Sequence, residues 1–293
     1  MYPPRFDYLA PTSLEEVVAA LGERDGDAKL MAGGQSLIPL LKLRITSPSA
    51  IVDLARVPGL DGLEEHDGGL RIGALVRHRD AERSELCRGR FGLFGSAARQ
   101  VADPLVRNRG TICGSLAHAD PQGDWGSVLL AARGEVTAHG PSGTRTIPAD
   151  ELLAGPFTTT LAADEVIAAV RVPDPGPRAG GAYLKLERKV GDFATAAVAV
   201  QVSLENGHVG QVGIGLTGVG PQNLRATAAE DAFRGSEAGD DAIKAAARLA
   251  AEAAEPQSDN RGTAEYKRNV IRVFTERGLH AAVAAAKGEE GSR

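Results

Sequence analysis

A glycine-bearing turn between a strand and a helix offers backbone N–H groups to an anion. The segment is Ala32-Gly33-Gly34-Gln35-Ser36. Turns of this kind direct successive N–H groups at one point, and the positive end of the helix dipole favours negative charge there. Glycine at 33 and 34 permits close approach of a phosphate, and Ser36 adds a hydroxyl donor. A tight turn that needs positive φ angles would use the same residues, so this segment alone leaves both interpretations open.

A second segment of similar character is Gly110-Thr111-Ile112-Cys113-Gly114-Ser115. The hydroxyls of Thr111 and Ser115 stand beside glycines and suit phosphate oxygens, while Asp124 can accept hydrogen bonds from ribose hydroxyls. Two such turns suit a diphosphate that is held from both sides, which favours a dinucleotide. The chain has neither the G-x-G-x-x-G fingerprint nor a P-loop lysine pattern. The residues by themselves therefore indicate only a phosphate-containing cofactor of dinucleotide type.

The elements that must position the first turn form a small βαβ-like unit. A helix begins after Pro11, with Thr12 or Ser13 as its cap and Glu15 or Glu16 as the capping-box partner. Strands at 29–31 and 51–54 and a helix at 36–43 complete the unit, and Pro39 is tolerable only in the first turn of that helix.

The rest of the chain indicates mixed helices and antiparallel strands. Hairpins turn at 66–69 and 140–143, a strand covers 166–170, and helices cover 79–87, 92–101 and 125–132. The proline-rich segment 173–177 is a plausible domain boundary. Beyond it, strands at 194–204 and 209–219 join at Asn206-Gly207, and helices follow at 241–254 and 266–277. This last region predicts an α+β domain.

Composition excludes several classes of protein. The 293 residues carry a net charge of −5 with no clustered basic face, so no nucleic-acid partner is expected. The two cysteines, Cys87 and Cys113, cannot ligate an iron–sulfur cluster, which takes four thiolates, and cannot build a disulfide scaffold. The chain shows no apolar signal stretch and no run of 18 apolar residues. A reducing cytoplasm is the expected compartment, with peripheral attachment at the inner face of the membrane, through a complex, as a further option.

Five stretches of the chain resemble one known family. Residues 31–44 resemble the first FAD loop, and residues 110–121 the second, of the medium subunits of carbon monoxide dehydrogenases and related molybdenum hydroxylases, the family that includes the xanthine dehydrogenase FAD subunit. Residues 6–13, 183–189 and 260–266 are also similar to this family. The resemblance covers nearly the whole chain in the same order and spacing.

The resemblance implies an α+β fold of three parts. Two N-terminal α/β FAD-binding subdomains of the vanillyl-alcohol-oxidase-like type are expected at residues 1–57 and 58–176. A C-terminal α+β domain, with an antiparallel sheet and helices, is expected at residues 177–287.

The resemblance also implies a site for non-covalent FAD. Residues 32–36 and 111–115 would wrap the diphosphate, and Asp124 would hold the adenosine ribose. Lys185 would lie near the flavin ring, where a cation stabilises reduced, anionic flavin. Phe193 would cover the ring without the phenol hydroxyl that many relatives carry there. The expected cofactor-binding residues are Ala32, Gly33, Gly34, Gln35, Ser36, Leu37, Val101 and Ala102 (approaching the flavin), Gly110, Thr111, Cys113, Gly114, Ser115, His118, Asp120, Asp124, Ile167 (on the adenine side), Lys185 and Phe193.

The implied function is electron transfer within a larger complex. A large subunit with a molybdenum cofactor would oxidise the substrate, and a small subunit would carry electrons through [2Fe-2S] clusters to FAD on this chain. Quinone, a carrier protein, oxygen or NAD would accept them, and a dimer of heterotrimers is expected. No catalytic residue and no metal ligand is expected in this chain. The alternatives are a stand-alone flavin oxidase and a cofactor-free assembly module, and the substrate stays open among carbon monoxide, N-heterocycles, aldehydes and purines.

Several side chains admit plainer interpretations. His118 suits a structural or flavin-side hydrogen bond better than a role as base or metal ligand. Cys113 stands where glycine is common and suits a packed thiol. The run Arg77-His78-Arg79-Asp80 is interpreted as a solvated helix start, and Trp125 as core. Neither His78 nor Cys87 lies in a motif that supports a covalent flavin.

Overall fold

The first part of the chain folds around a small parallel sheet. The computed structural model describes residues 2–289. The elements here are β1 (Asp7–Leu9), α1 (Leu14–Gly22), β2 (Ala28–Met31), α2 (Leu37–Lys42), β3 (Ala50–Asp53) and a 3₁₀ turn (Leu54–Arg56). The strands lie in the order β1-β3-β2 and all pairs are parallel. The βαβ-like unit is thus confirmed, with the short strand β1 as an addition that the sequence pattern did not predict.

Helix α1 begins as the capping pattern predicts, with one difference. The Ser13 hydroxyl accepts from the Glu16 N–H at 3.2 Å. The Glu16 carboxylate returns to the N–H of Thr12, at 2.7 Å, rather than to Ser13. Ser13 is therefore the cap and Thr12 binds the capping-box carboxylate, and α1 buries Val17, Val18 and Leu21.

The second part is an antiparallel sheet with a cluster of short helices. Its elements are β4 (Leu63–His66), β5 (Gly69–Gly73), α3 (His78–Arg83), α4 (Glu85–Arg88), α5 (Gly92–Ala98), α6 (Pro104–Arg107), α7 (Ile112–His118), α8 (Asp124–Ala131), β6 (Glu135–Gly140), β7 (Gly143–Pro148), α9 (Ala149–Leu152), β8 (Leu153–Gly155), β9 (Thr158–Thr159) and β10 (Val166–Val172). The main sheet has the order β4-β5-β10-β6-β7, and β8 pairs only with β9. Both predicted hairpins are present.

The short helices differ most from the sequence-based expectation. The predicted helix 79–87 is divided at Ser84, whose hydroxyl accepts from the Cys87 N–H and starts α4. The predicted helix 92–101 ends at Ala98. Helices α6 and α7 were not predicted, because with four and seven residues they are too short to show the apolar period that identifies longer helices.

The third part is an antiparallel sheet covered by helices on both faces. It consists of β11 (Ala179–Leu186), β12 (Ala196–Glu205), β13 (His208–Thr217), β14 (Leu224–Arg225), α10 (Thr227–Phe233), α11 (Asp240–Ala253) and α12 (Ala264–Lys287), with the strands in that order. Asn206 and Gly207 have φ of 50° and 86°, as the predicted Asn-Gly hairpin turn requires. The α+β class is therefore confirmed, while the domain limits 1–57, 58–176 and 177–287 stay predictions.

Helix α8 of the second part packs directly on the sheet of the third. A Cβ atom built at Gly213 or Gly215 would overlap the backbone of Ala131 or Ser127, respectively, so the helix lies on bare strand backbone. Helix α12 packs against β11 and β12. This double cover explains why β12 is buried along most of its length rather than alternating. No helix within residues 2–289 has the length and apolar character needed to cross a membrane.

A buried carboxylate joins the second and third parts. Glu230 is fully buried, and its two oxygens accept from the Ile214 N–H at 2.9 Å and from the guanidinium of Arg225 at 2.8–3.0 Å. Arg133, which follows α8, donates to the same carboxylate at 3.1 Å. Removing the charge would leave the Arg133 guanidinium without its counter-ion and Arg225 with Asp150 alone.

We expect Glu230→Gln to lower the free energy of unfolding by about 3 kcal/mol, the usual cost of breaking a buried ion pair on one side. Urea denaturation followed by circular dichroism measures this loss. Glu237→Gln is the matched control, because Glu237 is exposed and has no ion-pair partner among the described residues. A Glu230→Gln protein as stable as the control would show that the cluster contributes nothing.

Candidate functional site

The first glycine turn presents a row of unpaired amide donors. The N–H groups of residues 33–37 find no acceptor within the described chain, since the first bonds of α2 run from Ile38 N to Gly34 O and from Leu40 N to Ser36 O. Gln35 and Ser36 are exposed and their neighbours are only half-buried. Five consecutive donors at a helix start form a site that suits a phosphate or diphosphate group.

Gly33 and Gly34 are needed for different reasons. A Cβ at position 33 would overlap the carbonyl oxygen of Arg109 and lie 2.7 Å from the Cα of Gly110. Gly34 has a φ of +73°, which a larger side chain rarely adopts. Glycine at 33 thus lets the first turn touch the second, and glycine at 34 permits the turn itself.

The second turn is the start of α7. The Thr111 hydroxyl accepts from the Gly114 N–H at 3.1 Å and caps the helix, so this buried oxygen is already used by the chain. Ser115 is half-buried. A Cβ at Gly114 would lie 3.9 Å from the Cβ of Ala32, so the structure brings the two turns side by side.

Helix α3 holds the second turn in place. The His78 N–H donates to Gly110 O at 3.0 Å, and the Arg79 guanidinium donates to Asn108 Oδ1 at 3.0 Å. The His78 ring is 4% exposed and accepts at Nδ1 from the indole N–H of Trp125 at 3.1 Å. Burial lowers the pKa of His78 to about 3, so the ring is neutral and carries its hydrogen on Nε2. The run does start a helix, and Arg77 and Asp80 are exposed as predicted, but His78 is buried rather than solvated. Trp125 is core as predicted.

A buried ion cluster lies between the second part and β11. The Lys185 side chain is 1% exposed, and its Nζ donates to Gln100 O at 3.0 Å and to Asp124 Oδ2 at 3.2 Å. The Tyr183 hydroxyl donates to Asp124 Oδ1 at 2.6 Å. Burial raises the pKa of Asp124, while the Lys185 ammonium and the Tyr183 hydroxyl act against this rise. Glu187 places Oε2 3.6 Å from the same ammonium.

This cluster bears on two of the expected cofactor-binding residues. The resemblance implies Asp124 at the adenosine ribose and Lys185 at the flavin ring, and the structure places the two side chains 3.2 Å apart. The buried Asp124 carboxylate accepts from Tyr183 and Lys185. The roles of both residues towards a cofactor stay predictions.

The turn at Val101 and Ala102 lies beside this cluster. Gln100, whose carbonyl accepts from Lys185, directly precedes it. A Cβ at Gly191 would lie 3.2 Å from the carbonyl carbon of Ala102, so the loop that carries Phe193 packs on this turn. Phe193 itself is 49% exposed. The four residues expected near the flavin ring are thus neighbours in the fold.

The remaining predicted residues are more dispersed. Ile167 is buried on β10, in the core of the second sheet. The His118 ring lies 5.2 Å from the Phe157 ring, and it makes no hydrogen bond within residues 2–289; burial lowers its pKa. Asp120 accepts from the Gln122 N–H at 2.9 Å and stabilises the turn before α8.

Both thiols are buried and inert. Burial raises the pKa of Cys87 to about 11 and that of Cys113 to about 12, so neither forms a thiolate at neutral pH. The interpretation of Cys113 as a packed thiol agrees with this geometry.

Sequence reasoning missed the residues that support the site. Gln100, Tyr183 and Glu187 belong to the Lys185 cluster, and Arg107 and Glu82 hold the Val101–Ala102 turn. Only tertiary contacts distinguish these residues from the many other polar residues of the chain.

His78 makes stability depend on pH. The folded chain excludes a proton from this ring down to a pKa of about 3, whereas the unfolded chain takes it up near 6.5. The contribution of His78 to the free energy of unfolding is therefore fully present above pH 6.5 and is lost as the pH falls towards 3. For one such group we expect a loss of about 2 kcal/mol between pH 7 and pH 5. Urea denaturation at a series of pH values measures the slope.

The variant that tests this is His78→Gln, whose amide oxygen can still accept from Trp125 but does not titrate in this range. It should show a smaller loss over the same interval. His208→Gln serves as control, because His208 is exposed. Equal slopes in the wild-type and His78→Gln proteins would contradict the assignment.

Two protein families cover almost the whole chain. Residues 4–175 match the family described as the FAD binding domain in molybdopterin dehydrogenase. Residues 181–282 match the CO dehydrogenase flavoprotein C-terminal domain.

Individual relatives agree with these matches. The chain is 41% identical to the carbon monoxide dehydrogenase medium chain of Hydrogenophaga pseudoflava, over 96% of this chain and 98% of that protein. It is 38% identical to the nicotine 6-hydroxylase medium subunit of Paenarthrobacter nicotinovorans, over 94% and 96%. A solved structure of carbon monoxide dehydrogenase from Hydrogenophaga pseudoflava superposes with a TM-score of 0.94 at 43% identity, covering 97% of this chain and 99% of that one. The chain therefore belongs to the family of FAD-binding medium subunits of molybdenum hydroxylases, the oxidoreductases that include carbon monoxide dehydrogenase.

Proposed function

We propose that this chain binds FAD without a covalent bond and relays electrons from the iron–sulfur clusters of a partner subunit to an external acceptor. The observation that carries the proposal is the row of five unpaired amide donors at residues 33–37, held against the second turn by the contact of Gly33 with Gly110. Such a row recognises a diphosphate without any side-chain charge.

The residues present fit two parts of FAD that differ in chemistry, the diphosphate and the isoalloxazine ring. The diphosphate would lie on the amide donors of residues 33–37. The flavin end would lie by the Val101–Ala102 turn, Lys185 and Phe193, which supply amide donors, a buried ammonium and an exposed aromatic ring. FAD supplies the redox chemistry, while the chain supplies binding, orientation and electrostatics.

Asp124 has a different role in this proposal from the one first expected. Its carboxylate lies 3.2 Å from Lys185 Nζ in a buried setting. Asp124 is therefore the counter-ion of Lys185 beside the flavin, and Tyr183 orients the carboxylate.

Non-covalent attachment follows from the state of the candidate anchors. His78 is neutral and buried against Trp125, and Cys87 and Cys113 are buried thiols with raised pKa values. None of these side chains presents a reactive atom to a cofactor. A stand-alone flavin oxidase with a covalent flavin is correspondingly disfavoured.

The partners are inferred from the relatives and from the surface. Proteins named as medium chains or subunits belong to assemblies, and we infer a large subunit with a molybdenum cofactor, a small subunit with [2Fe-2S] clusters, and a dimer of heterotrimers. Leu43, Ile45, Leu105 and Val190 are exposed apolar side chains that suit such interfaces. The two buried cysteines leave the clusters to the partner.

In this proposal, components other than this chain determine the substrate and the electron acceptor of the complex. Relatives of closely similar fold are named for carbon monoxide dehydrogenase and for quinoline 2-oxidoreductase. The substrate pocket therefore belongs to the large subunit. Quinone, a carrier protein, oxygen and NAD are the candidate acceptors, and the complex would work in the cytoplasm or at the inner face of the membrane.

Gly33→Ala should weaken FAD binding. The added methyl group would push the first turn away from Arg109 and Gly110, so we expect the dissociation constant for FAD to rise at least about tenfold, equivalent to about 1.4 kcal/mol. Quenching of flavin fluorescence during titration measures it. Gly22→Ala is the control, because a Cβ there meets nothing within 4 Å. Equal FAD affinity in the two variants would contradict the proposed role of the turn.

An absorption spectrum of the purified chain tests the proposal directly. After reconstitution with FAD, we expect flavin bands, and acid precipitation should leave all the flavin in the supernatant. Flavin that stays with the precipitated protein would indicate covalent attachment and favour an oxidase. A chain that takes up no FAD, with or without its partner subunits, would favour the assembly module.

A further inference from the structure

In the turn at residues 101–103, two backbone carbonyl groups are hydrogen-bonded and the backbone N–H groups are not. The carbonyl oxygens of Val101 and Ala102 both accept from Arg107 Nη1, at 3.0 and 2.9 Å. The N–H groups of Val101, Ala102 and Asp103 find no acceptor within residues 2–289. The turn therefore directs its acceptors to a single guanidinium and leaves its donors unused.

The backbone of this turn is not one that its own residues favour. Ala102 has a φ of +45°, the left-handed region, which costs a residue with a side chain about 1 kcal/mol. Gly191 packs on the Ala102 carbonyl from the other side. Contacts from outside the turn must hold it in this conformation, and the two bonds from Arg107 are the polar contacts that do so.

Arg107 is itself held from α3. Its Nε donates to Glu82 Oε2 at 3.1 Å, and the arginine side chain is only 15% exposed. Glu82 lies one helical turn after His78, which binds Gly110 O. One short helix thus fixes both the Val101–Ala102 turn and the second glycine turn, which lie on either side of α6.

We propose that Arg107, supported by Glu82, is a positioning residue for the flavin. Its guanidinium donates to the carbonyl oxygens of Val101 and Ala102 and so fixes the orientation of the turn. In this orientation the amide donors of the turn face acceptor atoms of the isoalloxazine ring. This inference rests on the proposed function. Donors at these atoms stabilise the more negative, reduced form of the ring more than the oxidised form, so they raise the reduction potential.

Four variants of the full-length chain test the proposal. Arg107→Met removes both bonds, and Arg107→Lys keeps the charge but not the planar group that donates to two carbonyls and Glu82 together. Glu82→Gln weakens the support, and the double variant combines it with Arg107→Met. The matched control is Arg83→Met, because Arg83 is exposed on α3 and has no hydrogen-bond partner among the described residues.

The measurements are FAD affinity, the flavin reduction potential at saturating FAD, and thermal unfolding without FAD. For Arg107→Met we expect a dissociation constant about tenfold higher, as for the loss of a charge-assisted hydrogen bond, and a more negative potential. The dissociation constant and the reduction potential of Arg107→Lys should lie between those of Arg107→Met and the wild type. Both quantities should be unchanged in Arg83→Met. The double variant should have the same FAD affinity and reduction potential as Arg107→Met, because Glu82 acts through Arg107.

The contrary outcomes are distinct from one another. A change in unfolding alone, with wild-type affinity and potential at saturation, would show that Arg107 only fastens α6, and would overturn the proposal. If Arg107→Met does not fold, Arg107→Lys decides in the same way. A wild-type chain that binds no FAD would instead overturn the proposed function, and this inference with it.

Discussion

The close contact between Gly33 and the backbone of Arg109 and Gly110 is the constraint on which the site depends. A methyl group at position 33 would overlap the Arg109 carbonyl, so the two turns can meet only through glycine. The contact brings a parallel βαβ unit and the helix cluster of the second part together at one point. The unpaired amide groups of residues 33–37 lie at this junction.

The buried Lys185–Asp124 ion pair is the second constraint, and it is electrostatic, whereas the glycine contact is steric. Removing both ions from water is costly, and one hydrogen bond between them would not offset that cost. The chain adds further partners, because Gln100 O accepts from the ammonium and the Tyr183 hydroxyl donates to the carboxylate. Tyr183 and Lys185 come from β11, whereas Asp124 and Gln100 come from the second part. The pair therefore fixes the position of the third part as well as a charge near the proposed flavin.

The sequence predicted the long elements and failed where function depends on tertiary contacts. Apolar period and an Asn-Gly turn were sufficient for the β12–β13 hairpin, and the capping pattern located α1. The same reasoning took the run around His78 for a solvated helix start, although the ring is buried under Trp125. The contact of Asp124 with Lys185 was not predicted, because residue type and spacing do not show which way a carboxylate points. Arg107 and Glu82 were missed for the same reason, since an arginine that binds backbone carbonyls leaves no pattern in the sequence.

In the proposed function, cofactor binding through backbone groups would let one fold serve complexes with different substrates. Amide donors at residues 33–37 are present whatever the side chains are, provided that the glycine contact and the φ of Gly34 are kept. Side chains elsewhere can then change while the fold stays close, as the TM-score of 0.90 at 32% identity to quinoline 2-oxidoreductase from Pseudomonas putida 86 illustrates. The residues that position this backbone are Gly33, Gly34, the α3 side chains and the Lys185 cluster. In the proposed function these residues hold the cofactor, and they do not determine which molecule supplies the electrons.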